Sequence, residues 1–262
     1  MHKKYKALIE TIKAYDKVAV CLSGGSSSAL VALAAVEALG KEKVEAITAS
    51  TPFFTGEELL SCKELCKRLD VRLHISSASI LTNPYVVSNG PERCYYCKKC
   101  MMDAINREAI GMGVDAILDG TCYQTDPDSN NERVLGEFGI KCPLVGSEIT
   151  KEDVRDILDE LSMSYYSKPE NACLATRIST GEPITLKKLR IVRAAENYIK
   201  SLGYAVVRVR IRDLDGRIEV GKEEVEELME QQDEIISEMK ELGFRNVSID
   251  PEGYRRTPAT CL

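Results

Sequence analysis

The stretch Lys17-Val-Ala-Val-Cys-Leu-Ser-Gly-Gly-Ser-Ser-Ser-Ala-Leu30 decides the fold. A short apolar run from Val18 to Leu22 ends abruptly in Ser23-Gly24-Gly25-Ser26-Ser27-Ser28. An alanine- and leucine-rich segment then continues to Leu39 and stops at Gly40. Strand, tight polar loop and helix is the simplest reading. Two glycines let the backbone turn sharply and come close to a ligand. The serine hydroxyls donate hydrogen bonds, and the first N–H groups of the helix lack intrahelical partners. With the helix dipole added, the turn suits a phosphate. A tight turn with a serine N-cap accounts for the same residues on motif grounds alone. The spacing is neither GxxxxGK[ST] nor GxGxxG, so those two phosphate-binding loops are excluded.

Working outward, residues 43–50 read as a second strand, 57–69 as a helix and 71–75 as a third strand. The first 17 residues read as an amphipathic helix. Strands alternating with helices predict an α/β fold with a mostly parallel sheet covered on both faces. In such sheets ligands bind beyond the carboxyl ends of the strands, where residues 23–28 and the loop beginning at Ser50 lie. A helix is expected at 101–111, a fourth strand at 114–118 and a short fifth strand at 143–145. Thr150 is expected to cap a helix running to about residue 161, with Asp153 at its third position. A domain boundary is placed at 168/169. Residues 1–168 form the nucleotide domain, and 169–262 form a small α+β domain for substrate binding or oligomerisation. That second domain is expected to hold helices at 185–202 and 223–242 and strands at 205–211, 217–220 and 246–249.

The chain has 262 residues, 44% of them hydrophobic, enough for a sizeable core, and a net charge of −6. That balance argues against a general nucleic-acid binder, which needs a basic face. No apolar run approaches the roughly 20 residues of a membrane span. No signal-peptide apolar region is visible at the N-terminus, and a cytoplasmic protein is expected. The two histidines, His2 and His74, offer no convincing base or zinc–histidine set, and His74 reads as structural.

Ten cysteines are many for such a chain, and without a secretory signal the clustered ones point to metal or redox chemistry. Cys21, Cys62, Cys66, Cys122 and Cys142 read as small buried hydrophobes. Arg93-Cys94-Tyr-Tyr-Cys97-Lys-Lys-Cys100 is the second informative stretch. It suits zinc, an iron–sulfur cluster or a redox dithiol. Zinc needs a fourth ligand from elsewhere, whereas three cysteines with one iron left open suit a [4Fe–4S] cluster. If a helix begins near Cys97, Cys100 faces elsewhere and isolated Cys173 becomes the third ligand. Arg208 and Arg210 alternate on one strand and share a face, with Arg212 continuing it; paired guanidiniums suit a phosphate. Arg177, four residues after Cys173, suits a phosphate or carboxylate. Lys98 suits pyrophosphate. Asp126 and Asp128 are loop acids that suit either a turn or an acid acting beside residue 27.

Ser-Gly-Gly-x-x-Ser resembles the PP-loop of ATP pyrophosphatases, written SGGxDS, with Ser27 standing where that family has aspartate. The resemblance implies ATP and Mg²⁺ at Ser23, Gly24, Gly25, Ser26, Ser27, Ser28 and Ser50. A longer string of ordered motifs resembles the LarE family. It comprises Arg93-Cys94-x-x-Cys97-Lys98, Asp119-Gly-Thr121, Lys151-x-Asp153-Val-Arg155, Lys168-Pro169, Ala172-Cys173-Leu-Ala-Thr-Arg177-Ile, Arg208-Val-Arg210 and Arg217-Ile-Glu-Val220. The resemblance implies a sulfur transferase of nickel-pincer cofactor synthesis. Such enzymes adenylate a carboxylate of pyridinium-3,5-biscarboxylic acid mononucleotide and replace its oxygen with sulfur. Cys173 maps onto the family's sulfur-donating cysteine. Cys94, Cys97 and Cys173 map onto the ligands of a [4Fe–4S] cluster that can carry a replaceable sulfide. Arg208 and Arg210 map onto the substrate-phosphate site, and Arg177 is counted with them as a candidate from its place beside Cys173. A sulfide donor and a homo-oligomer are the expected partners. A PP-loop thiolase acting on tRNA and a non-catalytic cluster or sulfide carrier are the rival readings, the latter favoured by Ser27.

Overall fold

The structure, a computed structural model, describes residues 2–123, 129–167 and 172–255. It divides into two compact units, Met1–Ser79 with Cys97–Asn171, and Ile80–Tyr96 with Ala172–Leu262.

The first unit carries four parallel strands in the order β3-β2-β1-β4: β1 (Val18–Cys21), β2 (Val44–Ser50), β3 (Leu73–Ser77) and β4 (Ala116–Leu118). Every residue of β1 is buried, as a central strand covered on both faces requires. Helix α1 (Lys3–Ile12) turns Tyr5, Leu8, Ile9 and Ile12 inward. The helix that follows the decisive loop, α2 (Ser26–Leu39), buries Leu30, Val31, Ala34 and Ala35 completely. Its small side chains let it lie close to the sheet and to its neighbours. Helix α3 (Glu57–Leu69) has the expected bounds and buries Cys62, Leu65 and Cys66.

In the second unit, β5 (Val207–Arg212) and β6 (Asp215–Val220) form an antiparallel hairpin, and β7 (Asn246–Ile249) joins β6 in parallel. Helix α9 (Leu186–Ser201) packs on β5, and its N-cap Thr185 accepts a hydrogen bond from the Lys188 N–H.

Several expectations are corrected. Residues 80–96 group with the C-terminal unit rather than with the nucleotide domain. Within that unit the Ile184 N–H donates to the Val87 carbonyl, and the Gly181 N–H donates to that of Asn89. These long-range bonds carry no sequence signal. Short helix α4 (Pro84–Val87) lies in this segment. The cysteine stretch itself opens α5 (Arg93–Ala109), which continues into the first unit, so the helix starts well before residue 101. After α6 (Ser129–Glu137), the supposed strand at 143–145 is the helical turn α7 (Pro143–Gly146). Pro143 has no N–H for a ladder and fits the first helical position. The edge of β4 is met instead by Lys141 in an isolated parallel bridge to Leu118. Helix α8 (Lys151–Glu160) has the expected cap: Thr150 and Asp153 form a reciprocal capping box. The long helix expected at 223–242 is two helices, α10 (Val225–Glu230) and α11 (Gln232–Glu241); nothing in the structure explains the break at Gln231.

Candidate functional site

In the first unit, β2 and β3 lie on one side of β1 and β4 lies on the other. The crevice beyond β1 and β4 is therefore the sheet's switch point. The Ser23–Ser28 turn sits there. Gly24 has φ +80, and a Cβ on it would come 2.5 Å from the Glu58 carbonyl oxygen, so only glycine fits. Gly25 is the N-cap of α2. Ser28 Oγ donates to the Gly25 carbonyl (3.0 Å) and accepts from the Ser23 N–H (3.3 Å), while the Ser23 and Ser28 hydroxyls lie 3.1 Å apart. These bonds hold the turn open as a small cradle, with Ser23 exposed and Ser26 and Ser27 part-exposed. Ser27 Oγ lies 3.1 Å from Cys122 Sγ, so the position that would hold an acid carries a neutral hydroxyl. Ser50 ends β2 and is half-buried; its carbonyl accepts the Ala78 N–H.

The segment after β4 closes this crevice. A Cβ on Gly120 would come 2.7 Å from the Ser28 nitrogen, so the absence of a side chain lets the Asp119-Gly120-Thr121 turn lie against the start of α2. Asp119 is 8% exposed, and its Oδ1 accepts from the Thr121 N–H (2.9 Å) and hydroxyl (2.5 Å). Lys98, from α5, reaches Asp119 Oδ2 at 3.1 Å. Burial pushes the Asp119 carboxyl upward, but the Lys98 ammonium and the Thr121 hydrogen bonds outweigh it and hold the carboxyl below the usual range. Asn131 Nδ2 donates to Thr121 Oγ1 at 3.1 Å. A phosphate-sized anion on the turn would meet N–H groups, hydroxyls and a cation anchored by a buried carboxylate. The neighbouring thiol of Cys142 is pushed up to about 11 by burial and by Asp119. Cys62 is likewise pushed up to about 11 and Cys66 to about 12, chiefly by burial. Cys62 and Cys66 are buried packing residues, as the sequence implied, whereas Cys142 is only part-buried. His74 is structural too: its Nε2 lies 2.9 Å from Glu45.

In the second unit the arginines are wired together. Arg177 is 2% exposed. Its Nε and Nη2 donate to Glu196 (2.8 and 3.2 Å), and its Nη1 donates to the carbonyls of Ala172 (2.6 Å) and Cys173 (3.1 Å). These bonds make it an internal strut that fixes the backbone at Ala172 and Cys173. Glu196 Oε1 also accepts the Val209 N–H at 3.0 Å, tying this strut to β5. Arg210 pairs with Glu219 (Nη2 at 3.1 Å) and donates from Nη1 to the Thr176 carbonyl (3.0 Å). Arg208 is 8% exposed and lies over the Tyr254 ring at 5.1 Å. Burial, followed by repulsion from Arg177, pushes its guanidinium below the ordinary value. A phosphate brought to this strand would relieve that repulsion. Arg212 is exposed at the end of β5.

Cys94 and Cys97 lie three residues apart on α5, about one turn, which puts both sulfurs on one face; Cys100 continues the row. Cys94 is disulfide-bonded, and Cys97 and Cys173 are part-exposed thiols. Thiolates are the residue type that holds an iron–sulfur cluster. Among the described residues no three His, Cys, Asp or Glu side chains stand grouped as a metal site. No helix among them is long and apolar enough to cross a membrane. Asp126, Asp128 and the Lys168-Pro169 pair lie outside the described residues. Glu196 and Asn89 escaped sequence reading, since a buried carboxylate within a helix and an asparagine beside a turn look ordinary in a sequence.

Comparison with known proteins brings these features together. The NAD synthase family matches residues 2–89. The chain is 30% identical over 253 residues to the pyridinium-3,5-bisthiocarboxylic acid mononucleotide synthase of Lactiplantibacillus plantarum, covering 96% of this chain and 92% of that protein. It is 31% identical over 258 residues to an uncharacterised protein of Synechocystis, covering 97% and 96%. A glutamine-dependent NAD(+) synthetase of Thermotoga maritima is 32% identical over 88 residues, 31% of this chain and 15% of that protein.

Proposed function

The chain belongs to the LarE family of PP-loop enzymes, and we propose that it uses ATP to insert sulfur into a carboxylate of a pyridinium mononucleotide during nickel-pincer cofactor synthesis. The observation that carries the reading is 30% identity to a synthase of that thiocarboxylate along 96% of the chain. The Ser23–Ser28 cradle at the switch point supports it independently.

A carboxylate is a poor acceptor for a sulfur nucleophile because its oxygen leaves badly. Attack by a substrate carboxylate oxygen on the α-phosphorus of ATP, with pyrophosphate departing, converts that oxygen into part of an AMP leaving group. The N–H groups and hydroxyls of residues 23–28 would hold the phosphates, and Ser50 would line the same site. Lys98, anchored on Asp119, would offset the charge of the departing pyrophosphate. Mg²⁺ would accompany the nucleotide, with residue 27 offering it a hydroxyl rather than a carboxylate. Arg208 and Arg210 would hold the substrate's phosphate; their alternation on one strand supports that role.

Cys94, Cys97 and Cys173 would hold a [4Fe–4S] cluster, which when bound supplies a replaceable sulfide. The free, part-exposed thiol of Cys173 favours a second reading, in which its sulfur attacks the adenylate and displaces AMP, and the Cβ–Sγ bond then breaks with loss of the Cα proton, leaving dehydroalanine. In either case the acyl carbon gains a C–S bond and AMP leaves. A sulfide donor, a homo-oligomeric assembly and a cytoplasmic location belong to the same proposal.

Pyrophosphate release tests the enzyme reading. Release that needs both ATP and pyridinium-3,5-biscarboxylic acid mononucleotide supports it. No release with that substrate, together with binding of tRNA, sinks it in favour of the tRNA thiolase. Iron and sulfide analysis of anaerobically reduced protein separates the two sulfur sources. About four irons per chain, as a [4Fe–4S] cluster requires, lost in Cys94→Ala, Cys97→Ala and Cys173→Ala but kept in Cys100→Ala, supports the cluster. Iron-free protein that loses the Cys173 sulfur on turnover supports the single-cysteine route.

A further inference from the structure

We infer that Asn89 and Arg93 are positioning residues for sulfur transfer, holding the Cys94-bearing and Cys173-bearing segments of the second unit in one frame. The inference rests on the proposed use of those two cysteines.

Asn89 is fully buried and has φ +56, a left-handed backbone that asparagine tolerates better than most residues. Both ends of its side chain are engaged. Oδ1 accepts from Arg93 Nη1 at 2.5 Å, and Nδ2 donates to the carbonyls of Ile178 (3.3 Å) and Ser179 (2.9 Å). Its own carbonyl accepts the Gly181 N–H at 3.0 Å. Arg93 is 8% exposed and places Nη2 3.5 Å from Cys94 Sγ, within reach of a long N–H···S bond. On the opposite side, Ile178 follows directly on the 3₁₀ turn Leu174–Arg177, whose N-cap is Cys173. Ile178 bridges Ile211, and the Ser179 N–H donates to the Ile211 carbonyl at 3.3 Å, so the same clamp reaches the strand carrying Arg208 and Arg210.

A fully buried amide and a nearly buried guanidinium are costly unless every bond is made. A clamp needed only for packing could be built from apolar side chains. This one ends on a cysteine sulfur at one side and on the cysteine-following turn at the other. Hydrogen-bonded outer residues of this kind orient reacting sulfurs and metal-binding thiolates.

The test uses full-length variants, reduced and handled without oxygen. Asn89→Gly keeps the left-handed backbone and deletes the side-chain bonds. Asn89→Asp keeps the acceptor for Arg93 and loses the amide donor. Arg93→Lys keeps the charge but cannot reach two partners. Ile218→Val, in the apolar core of the same unit, controls for general destabilisation. Each is reconstituted with ferrous iron and sulfide, and its iron affinity and visible spectrum are measured. Each is then turned over with ATP and pyridinium-3,5-biscarboxylic acid mononucleotide, and Cys173 is followed by mass spectrometry. Asn89→Gly and Arg93→Lys are expected to lose about tenfold or more in iron affinity, with a shifted spectrum. Asn89→Asp should fall between them and the wild type, and Ile218→Val should match the wild type. If the wild type takes up no iron, the cluster reading fails, and the same order is expected in the rate of dehydroalanine formation at Cys173, with the KM for ATP unchanged. Wild-type behaviour of Asn89→Gly in whichever signal the wild type gives overturns the inference, as does an equal loss in Ile218→Val. A wild type that gives neither signal overturns both the inference and the reading beneath it.

Discussion

The two units handle charge in opposite ways. In the first, the candidate anion site is a contiguous run of backbone, residues 23–28, shaped by Gly24 and braced by the serine hydroxyls. In the second, charged side chains drawn from segments far apart in the chain pair with one another, Arg177 with Glu196 and Arg210 with Glu219. The first is local, built from the backbone and serine hydroxyls at a helix start. The second is non-local, and its charges are mostly used on one another. An arginine near a part-exposed cysteine is as readily a beam as a ligand, and its burial and partners decide which.

The largest expected effect breaks the web. Arg177→Met leaves Glu196 buried without its cation, and urea unfolding should show a loss of about 3–5 kcal/mol. A loss below about 1 kcal/mol would mean that the pair is dispensable, and Arg177 would return as a ligand candidate. Next comes the turn. Gly24→Ala forces a left-handed alanine, costing about 1–2 kcal/mol before any clash with Glu58. ATP-dependent pyrophosphate release should fall with it; unchanged release would show that nucleotide sits elsewhere.

Arg208→Ala sharpens the contrast from the other side. If Arg208 meets the substrate phosphate, the KM for the mononucleotide should rise by about 10–100-fold, the value of a hydrogen bond to a charged group, with little change in the KM for ATP. Equal changes in both constants would make Arg208 structural like Arg177. The smallest effects belong to the capping box outside both sites. Thr150→Ala should cost about 1 kcal/mol in thermal or urea unfolding without altering either KM.

The Asp153 carboxyl in that box adds a pH test. Burial pushes it up, but Lys4 and the Thr150 bonds hold it down at about 2, against an ordinary 3.8. Because the folded value is depressed, its contribution is fully present above pH 3.8 and is lost as pH falls toward 2. In Lys4→Ala that part of acid unfolding should flatten. An unaltered profile would assign the shift to the cap alone.

Much of the first unit could be read directly. The run from Val18 to Leu22, the small-residue turn and the stop at Gly40 each follow from local chemistry, and helix α3 has its expected bounds. Thr150 and Asp153 announced their cap because the bonds span three residues. Readings failed where partners are distant. Pro143 opened a helical turn rather than a strand, and residues 80–96 took their place through bonds to residues near 181–184. Lys98 was a candidate from its motif, but nothing in its neighbours revealed that Asp119 anchors it.

By itself the sequence determined the α/β order, the small-residue turn between the first strand and its helix, and the positions of the candidate cysteines. These depend on periodicity, on glycine's backbone freedom and on donor types, all properties of short segments. Only the tertiary structure decided that Arg177 is buried against Glu196, that Lys98 pairs with Asp119, and that Asn89 bonds both Arg93 and the backbone at Ile178 and Ser179. Those roles depend on burial and on which distant polar group satisfies which, and in a chain of ten cysteines and 35 lysines and arginines many pairings are compatible with one sequence until folding selects them.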